Sequence, residues 1–124
     1  MNIKDKVILL TGGTSGIGEG CSRRYAELGA KVVFASIQEA EGKALEADLK
    51  GQGYTADFVY CNVADEASVQ ALVAQTVALH GRIDCCHSNA GVWRQGKVTD
   101  FTDDDFDFVM GINVKGNFFL AKHV

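Results

Sequence analysis

Apolar and polar positions follow two different rhythms along this chain. The run Val7-Ile8-Leu9-Leu10 is continuously apolar, the mark of a strand buried on both faces, and it predicts a first strand over residues 6–11. A helical rhythm follows over 16–28, with Ile17, Cys21 and Leu28 as its stripe, Tyr25 alongside, and Gly29 as the stop. Val32, Val33 and Phe34 centre a second strand over 31–36. Ala40, Ala44, Leu45 and Ala47, spaced among acids, give a second helix over 38–50 that Gly51 and Gly53 end. A third strand is expected over 55–61. Asp65 then caps a third helix whose apolar positions Val69, Leu72, Val73 and Val77 recur at i, i+3 and i+4 as far as His80 and Gly81. A fourth strand is expected over 83–88. After a polar loop, Thr102 and Asp105 form a capping-box variant. It opens a fourth helix running through Phe106, Val109, Met110, Asn113 and Val114 toward Phe118 and Ala121, with no stop signal before Val124.

Strands alternating with helices imply parallel βαβ units with right-handed crossovers. The expectation is an α/β, Rossmann-type parallel sheet in strand order 3-2-1-4 with helices on both faces, forming a single domain over residues 1–124. In that order the loop after the first strand lies where the strand order reverses, the usual ligand crevice of such sheets.

Composition narrows the functional classes. The 124 residues are 47% hydrophobic and 23% charged, a globular balance. A net charge of −4 argues against nucleic acid or an anionic membrane as partner. No apolar run reaches the length of a membrane span and no secretory leader is apparent, so the expected location is cytoplasmic. The four cysteines, Cys21, Cys61, Cys85 and Cys86, contain no Cys-x-x-Cys pair and are expected as small core residues. His80, His87 and His123 lack metal-ligand spacing, so they read as structural and no metal is expected.

Candidate chemistry concentrates in Thr11-Gly12-Gly13-Thr14-Ser15-Gly16-Ile17-Gly18, between the first strand and the first helix. Glycines let the backbone turn tightly and approach a ligand closely. The helix start behind them offers free N–H groups and a positive dipole end, which suit a pyrophosphate; a plain strand–helix turn is the alternative. Strand two ends in Ser36-Ile37-Gln38, about 20 residues on, where an acid would bind a ribose 2′-hydroxyl and a base a 2′-phosphate. Neither is present, so Ser36 either bonds the ribose end of a ligand or merely ends a strand. Asn62, in Cys61-Asn62-Val63, can accept a hydrogen bond from a ligand or form an Asx turn leading into Asp65. Asn113 falls on the apolar stripe of the fourth helix and needs a partner for its amide.

The pattern T-G-x-x-x-G-x-G at 11–18, Asn89-Ala90-Gly91 after strand four and Asn113 on the next helix, taken in this order, resembles the short-chain dehydrogenase/reductase family. The resemblance spans essentially the whole chain. It implies a dinucleotide cofactor, NAD or NADP, with the choice open at this point, and hydride exchange between nicotinamide and an alcohol or ketone. It implies cofactor-binding roles for Gly12, Thr14, Ser15, Gly16, Ile17, Gly18, Ser36, Asn62, Val63, Asn89, Ala90 and Gly91. Ser15 stands where NADP-preferring relatives often carry a base, and Asn62 replaces the family's usual Asp. Asn113 is implied as a catalytic residue that holds a water in a proton relay. The family's catalytic Ser and Tyr-x-x-x-Lys have no counterpart, because Tyr25, Tyr54 and Tyr60 are followed four residues on by Gly29, Phe58 and Ala64. The chain therefore reads as an amino-terminal half, truncated within its fourth helix.

Two expectations follow from that reading. The chain is the cofactor half of an NAD(P)-dependent oxidoreductase, or it is a truncated, non-catalytic nucleotide-binding or self-associating module. A Rossmann-like methyltransferase is disfavoured by the joint Asn-Ala-Gly and Asn113 matches. Strand four should be an unprotected edge and Phe118, Phe119 and Leu120 poorly covered, which predicts self-association. Trp93 and Arg94 either border a substrate cleft or anchor a loop.

Overall fold

In the computed structural model, which describes residues 2–124, the apolar runs become four parallel strands. They are β1 (Val7–Thr11), β2 (Lys31–Ser36), β3 (Ala56–Tyr60) and β4 (Cys85–Ser88), hydrogen-bonded in the expected order β3-β2-β1-β4. Leu9 of β1 stands opposite Val33 on one side and Cys86 on the other. Successive side chains leave a strand on opposite faces, so the sheet carries two cores. Ile8, Leu10, Val32 and Phe34 pack with Ala26 of α1 (Gly16–Glu27) and with Leu45 and Leu49 of α2 (Glu39–Gly51). On the other face Leu9, Val33 and Val59 meet Val69 and Leu72 of α3 (Glu66–His80) and Leu120 of α5 (Gly116–His123). Every residue of β1 is buried.

Three of the expected helical stripes are different in fact. In α1 the buried residues are Gly18, Ser22 and Ala26, while Ile17 is 79% exposed and Leu28 also faces outward. The helix lies too close to the sheet for larger side chains, and the Ser22 hydroxyl donates to the Gly13 carbonyl at 2.9 Å. In α2 the buried residues are Gly42, Leu45 and Leu49, and Ala40, Ala44 and Ala47 are exposed. A Cβ on Gly42 would fall 2.2 Å from the Phe58 ring, so the aromatic occupies the space that an alanine stripe would need. In α3, Thr76 joins Val69 and Leu72 on the buried face and Val77 turns outward.

The helix ends behave as the sequence predicts. The Asp65 carboxylate accepts from the Ala67 N–H at 3.2 Å, and Gly81 closes α3 in the left-handed conformation. Thr102 and Asp105 form a reciprocal box at the start of α4 (Asp103–Met110). The bond from the Thr102 N–H, then that from its hydroxyl, holds the Asp105 carboxyl below the usual carboxylate range.

The expected fourth helix is interrupted. A π turn over Gly111–Lys115 separates α4 from α5. Such turns insert an extra residue without breaking the helix and cluster at functional positions. The cover at this end also differs from expectation. Leu120 is 2% exposed and Phe119 is half-buried, because α5 packs on α3; only Phe118, 61% exposed, is bare. Of the cysteines Cys61 alone is buried. Cys21 on α1 is half-buried; on β4, which pairs on one side only, Cys86 is half-buried and Cys85 exposed. Each histidine has a side-chain partner: His80 bonds Asp57, His87 bonds Tyr25 and His123 bonds Glu66.

Candidate nucleotide-binding crevice

The first strand ends at Thr11, fully buried, whose hydroxyl accepts from the backbone N–H groups of both Asn89 and Ala90 at 3.2 Å. The Asn89 side-chain amide donates to the Gly12 carbonyl at 3.1 Å. These bonds stitch the turn after β1 to the turn after β4, at the point where strand order reverses. Gly18 closes the same knot from the helix: a Cβ there would lie 1.8 Å from the Gly12 carbonyl oxygen. No side chain other than hydrogen fits.

The start of α1 is left open. Ser15 stands at the N-cap but makes no side-chain capping bond, unlike Asp65 and Thr102. The first N–H groups of this helix therefore keep their donors for a ligand, and the helix dipole adds partial positive charge. Gly16 adopts φ +53°, and a Cβ there would meet nothing within 4 Å, so the space beside it is open. An anion fits this end of the crevice.

Two cavities meet here. The larger, about 270 Å³, brings together Gly12, Ser15, Ser36, Asn62, Val63, Ala90 and Gly91 from the expected set. The smaller, about 220 Å³, adds Ile17, Gly18 and Asn89 and shares Gly12, Ser15, Ala90 and Gly91 with the first. A predominantly apolar cleft with a few convergent polar groups is what small-ligand sites require. Two expected residues stand elsewhere in this region. Gly16 is exposed at the rim, and Thr14, buried, sits behind the lining with its hydroxyl 2.9 Å from Ser36 Oγ and 2.8 Å from Gln38 Oε1.

Asn62 does form the Asx turn, accepting from the Ala64 N–H at 3.1 Å while still lining the cavity. Cys61, Ile37, Gln38, Val92 and Ile112 complete the lining and were not expected as site residues. Ile37 and Gln38 could have been found, because they continue β2 directly beyond Ser36 at the carboxyl end of the sheet. Ile112 could not, because its position depends on the π turn.

Asn113 stands on that turn and answers the question of its partner. Its Oδ1 accepts from the Val92 N–H at 2.8 Å and its Nδ2 donates to the Val92 carbonyl at 2.7 Å. One lone pair and one N–H of the amide are left over. Asn113 lines a separate cavity of about 250 Å³ with Trp93, Arg94, Phe101 and Phe106, on the far side of Val92. Within it Arg94 is an anchor: its guanidinium lies 3.2 Å from the Asp105 carboxylate and 4.4 Å from the Phe108 ring centre. Trp93 is 76% exposed.

A parallel sheet in order 3-2-1-4, with a glycine turn and an uncapped helix at the reversal point, defines a Rossmann-type nucleotide-binding architecture. A model of the short chain dehydrogenase family matches residues 6–124, and the chain belongs to that family. It is 40% identical over 123 residues to an uncharacterized oxidoreductase of Thermotoga maritima, covering 99% of this chain and 48% of the relative. It is 41% identical over 123 residues to (+)-borneol dehydrogenase 1 of Salvia officinalis, covering 98% of this chain and 46% of the relative. A short chain dehydrogenase/reductase from Burkholderia phymatum, solved in complex with NAD, superposes with a TM-score of 0.96 at 29% identity, covering 98% of this chain and 43% of that one. The chain spans about half the length of the curated relatives it matches.

Proposed function

We propose that this chain supplies the cofactor-binding half of an NAD(P)(H)-dependent oxidoreductase acting on an alcohol/carbonyl pair. The observation that carries the reading is the uncapped start of α1 facing a glycine-floored crevice at the reversal point of the sheet. The residues present suit a dinucleotide. Gly12, Ser15, Gly16, Ile17 and Gly18, with Thr14 behind them, would hold the pyrophosphate through backbone N–H groups. Ser36 would meet the adenosine ribose, and Asn62 and Val63 the adenine. Asn89, Ala90 and Gly91 would leave room for the nicotinamide end because none of them fills the shared wall of the two cavities. Nicotinamide bound there would supply or accept the hydride.

Asn113 contributes by fixing Val92 immediately after the Asn89-Ala90-Gly91 turn. Its spare N–H and lone pair suit the water of a proton relay. The general acid/base that the family resemblance implies, a tyrosine with a lysine four residues on, is not in this sequence. The open edge of β4 supports a second reading, a non-catalytic nucleotide-binding or self-associating module. In the described sheet β4 is an edge, and Phe106 and Phe118 are more than half exposed, which supports self-association of this chain.

Titration of the chain with NADH, followed by nicotinamide fluorescence, tests both readings. Weak saturable binding without substrate-dependent oxidation is expected. Absence of binding would sink the cofactor assignment, and substantial turnover would demand a proton donor other than the family's. Sedimentation at micromolar concentration should show species larger than a monomer; a clean monomer would end the self-association proposal.

A further inference from the structure

The Asn89-Ala90-Gly91 turn has its middle tied to the end of β1 and both its flanks tied to one helix. The Thr11 hydroxyl accepts from the Asn89 and Ala90 N–H groups, and the Gly12 carbonyl accepts from the Asn89 amide. On the far flank, Asn113 holds both backbone polar groups of Val92. The near flank is Ser88, the last residue of β4. Its hydroxyl donates to Asn117 Oδ1, and Asn117 Nδ2 donates to the Asn113 carbonyl at 2.5 Å. A carbonyl can only accept, so the amide nitrogen of Asn117 must face Asn113 and its oxygen must face Ser88. The Ser88 proton is thereby committed.

Ser88 and Asn117 are both exposed. Water competes for such bonds, so they add little net stability. What the link does fix is the spacing between the end of β4 and the π turn. That turn also carries Ile112 into the crevice wall beside Ala90, Gly91 and Val92. Without Asn117 the Asn89-Ala90-Gly91 turn would hang from the helix by one flank only. The other end of the crevice is assembled separately: Thr14, Ser36 and Gln38 bond one another.

We infer that Asn117 is a positioning residue. With Asn113 it clamps both flanks of Asn89-Ala90-Gly91 and so sets the nicotinamide end of the crevice, leaving the adenosine end unaffected. The inference rests on the dinucleotide reading of the crevice.

The test is calorimetric titration of the native chain, Asn117→Ala, Ser88→Ala and the double variant with NADH and with ADP. ADP carries the adenosine and both phosphates but no nicotinamide riboside, so it does not reach the clamped turn. Both positions are exposed and alanine suits a helix, so the variants should fold. Asn117→Ala should weaken NADH about fivefold while ADP stays within about twofold of its native affinity. A merely structural role would move both ligands together. Ser88→Ala should also weaken NADH, and the double variant should be no worse than Asn117→Ala, because both single changes break the same link. Equal weakening of the two ligands, an unchanged NADH affinity in Asn117→Ala, or additive losses in the double variant overturns the clamp. Failure of the native chain to bind NADH overturns the dinucleotide reading and the clamp with it, a result distinct from native binding that the variants leave unsplit.

Discussion

The two flanks of β1 are built by different means. On the β2 side, α1 reaches the strand end through missing side chains: Gly18 touches the Gly12 carbonyl, and Val32, Val33 and Phe34 have no solvent exposure. On the other side β4 itself is only partly covered, and the turn beyond it is held by amides. Asn89 bonds Gly12, Asn113 clamps Val92, and Asn117 links Ser88 of β4 to the Asn113 carbonyl. The glycine flank depends on steric exclusion, which fails abruptly when a methyl is added. The asparagine flank depends on directional bonds, which are lost one at a time. The crevice lies between the two and needs both.

The sharpest break of this contrast is Gly18→Ala. Its Cβ has a backbone oxygen, not a flexible side chain, at 1.8 Å, so α1 must move away from the turn. Overpacking of this kind costs about 3 kcal/mol. Chemical denaturation should show the loss, and nucleotide titration should show the crevice gone. Asn113→Ala comes next. It removes two bonds to one residue and leaves the Val92 N–H and carbonyl to water, a cost of about 2 kcal/mol by the same denaturation assay. If Asn113→Ala proved as damaging as Gly18→Ala, the distinction between the two flanks would collapse.

Gly16→Ala provides the control within the glycine turn. It meets no atom within 4 Å, so only the left-handed φ of +53° is penalised, at about 1 kcal/mol. Two glycines two residues apart should thus differ about threefold in stability cost. Near-equal costs would show that conformation, not contact, governs this turn.

These two glycines also mark what the sequence could reveal. The order of elements, the sheet topology and the caps at Asp65 and Thr102 follow from local periodicity and turn chemistry, and the structure reproduces them. The crevice was legible for the same reason: strand ends and a glycine turn fix which loops meet. Close approach was not legible. Hydrophobicity points to Ile17 and the α2 alanines as core, whereas the true contacts are Gly18, Ser22 and Gly42, residues chosen for what they lack. The π turn was equally hidden, because 110–116 reads as ordinary helix; its consequence, the meeting of Ile112 with the crevice and Asn113 with Val92, is a tertiary outcome.

A smaller effect concerns how the two flanks are tied at the bottom of the sheet. The Asp84 carboxylate accepts from the Val7 N–H at 2.9 Å, with Arg82 and Lys6 nearby. That backbone bond, followed by the pull of Arg82, lowers its pKa below the usual value. A carboxyl depressed in the fold stabilises above its unfolded pKa, and the contribution disappears as pH falls through the folded value. The native chain should therefore lose stability on acidification more steeply than Asp84→Asn, measured by denaturation midpoints across the carboxylate range. Parallel pH profiles would remove Asp84 from the account.

The smallest expected effect reads the β4 flank directly. Cys85 and Cys86 are neighbours in sequence but leave the strand on opposite faces. Cys86 packs against the Leu9 core, and burial, then the neighbouring Cys85, pushes its thiol up to about 11. Cys85 is exposed at the same edge. Because thiolate is the reactive form, a thiol reagent at mildly alkaline pH should label Cys85 first and Cys86 only after denaturation, as mass spectrometry of the peptide can resolve. Dilution adds a second reading. If two copies pair along β4, labelling of Cys85 should slow as protein concentration rises, while the response of Cys86 stays unchanged. A Cys85 rate independent of concentration would place any self-association on the exposed phenylalanines of α4 and α5 instead, leaving the β4 edge open to solvent.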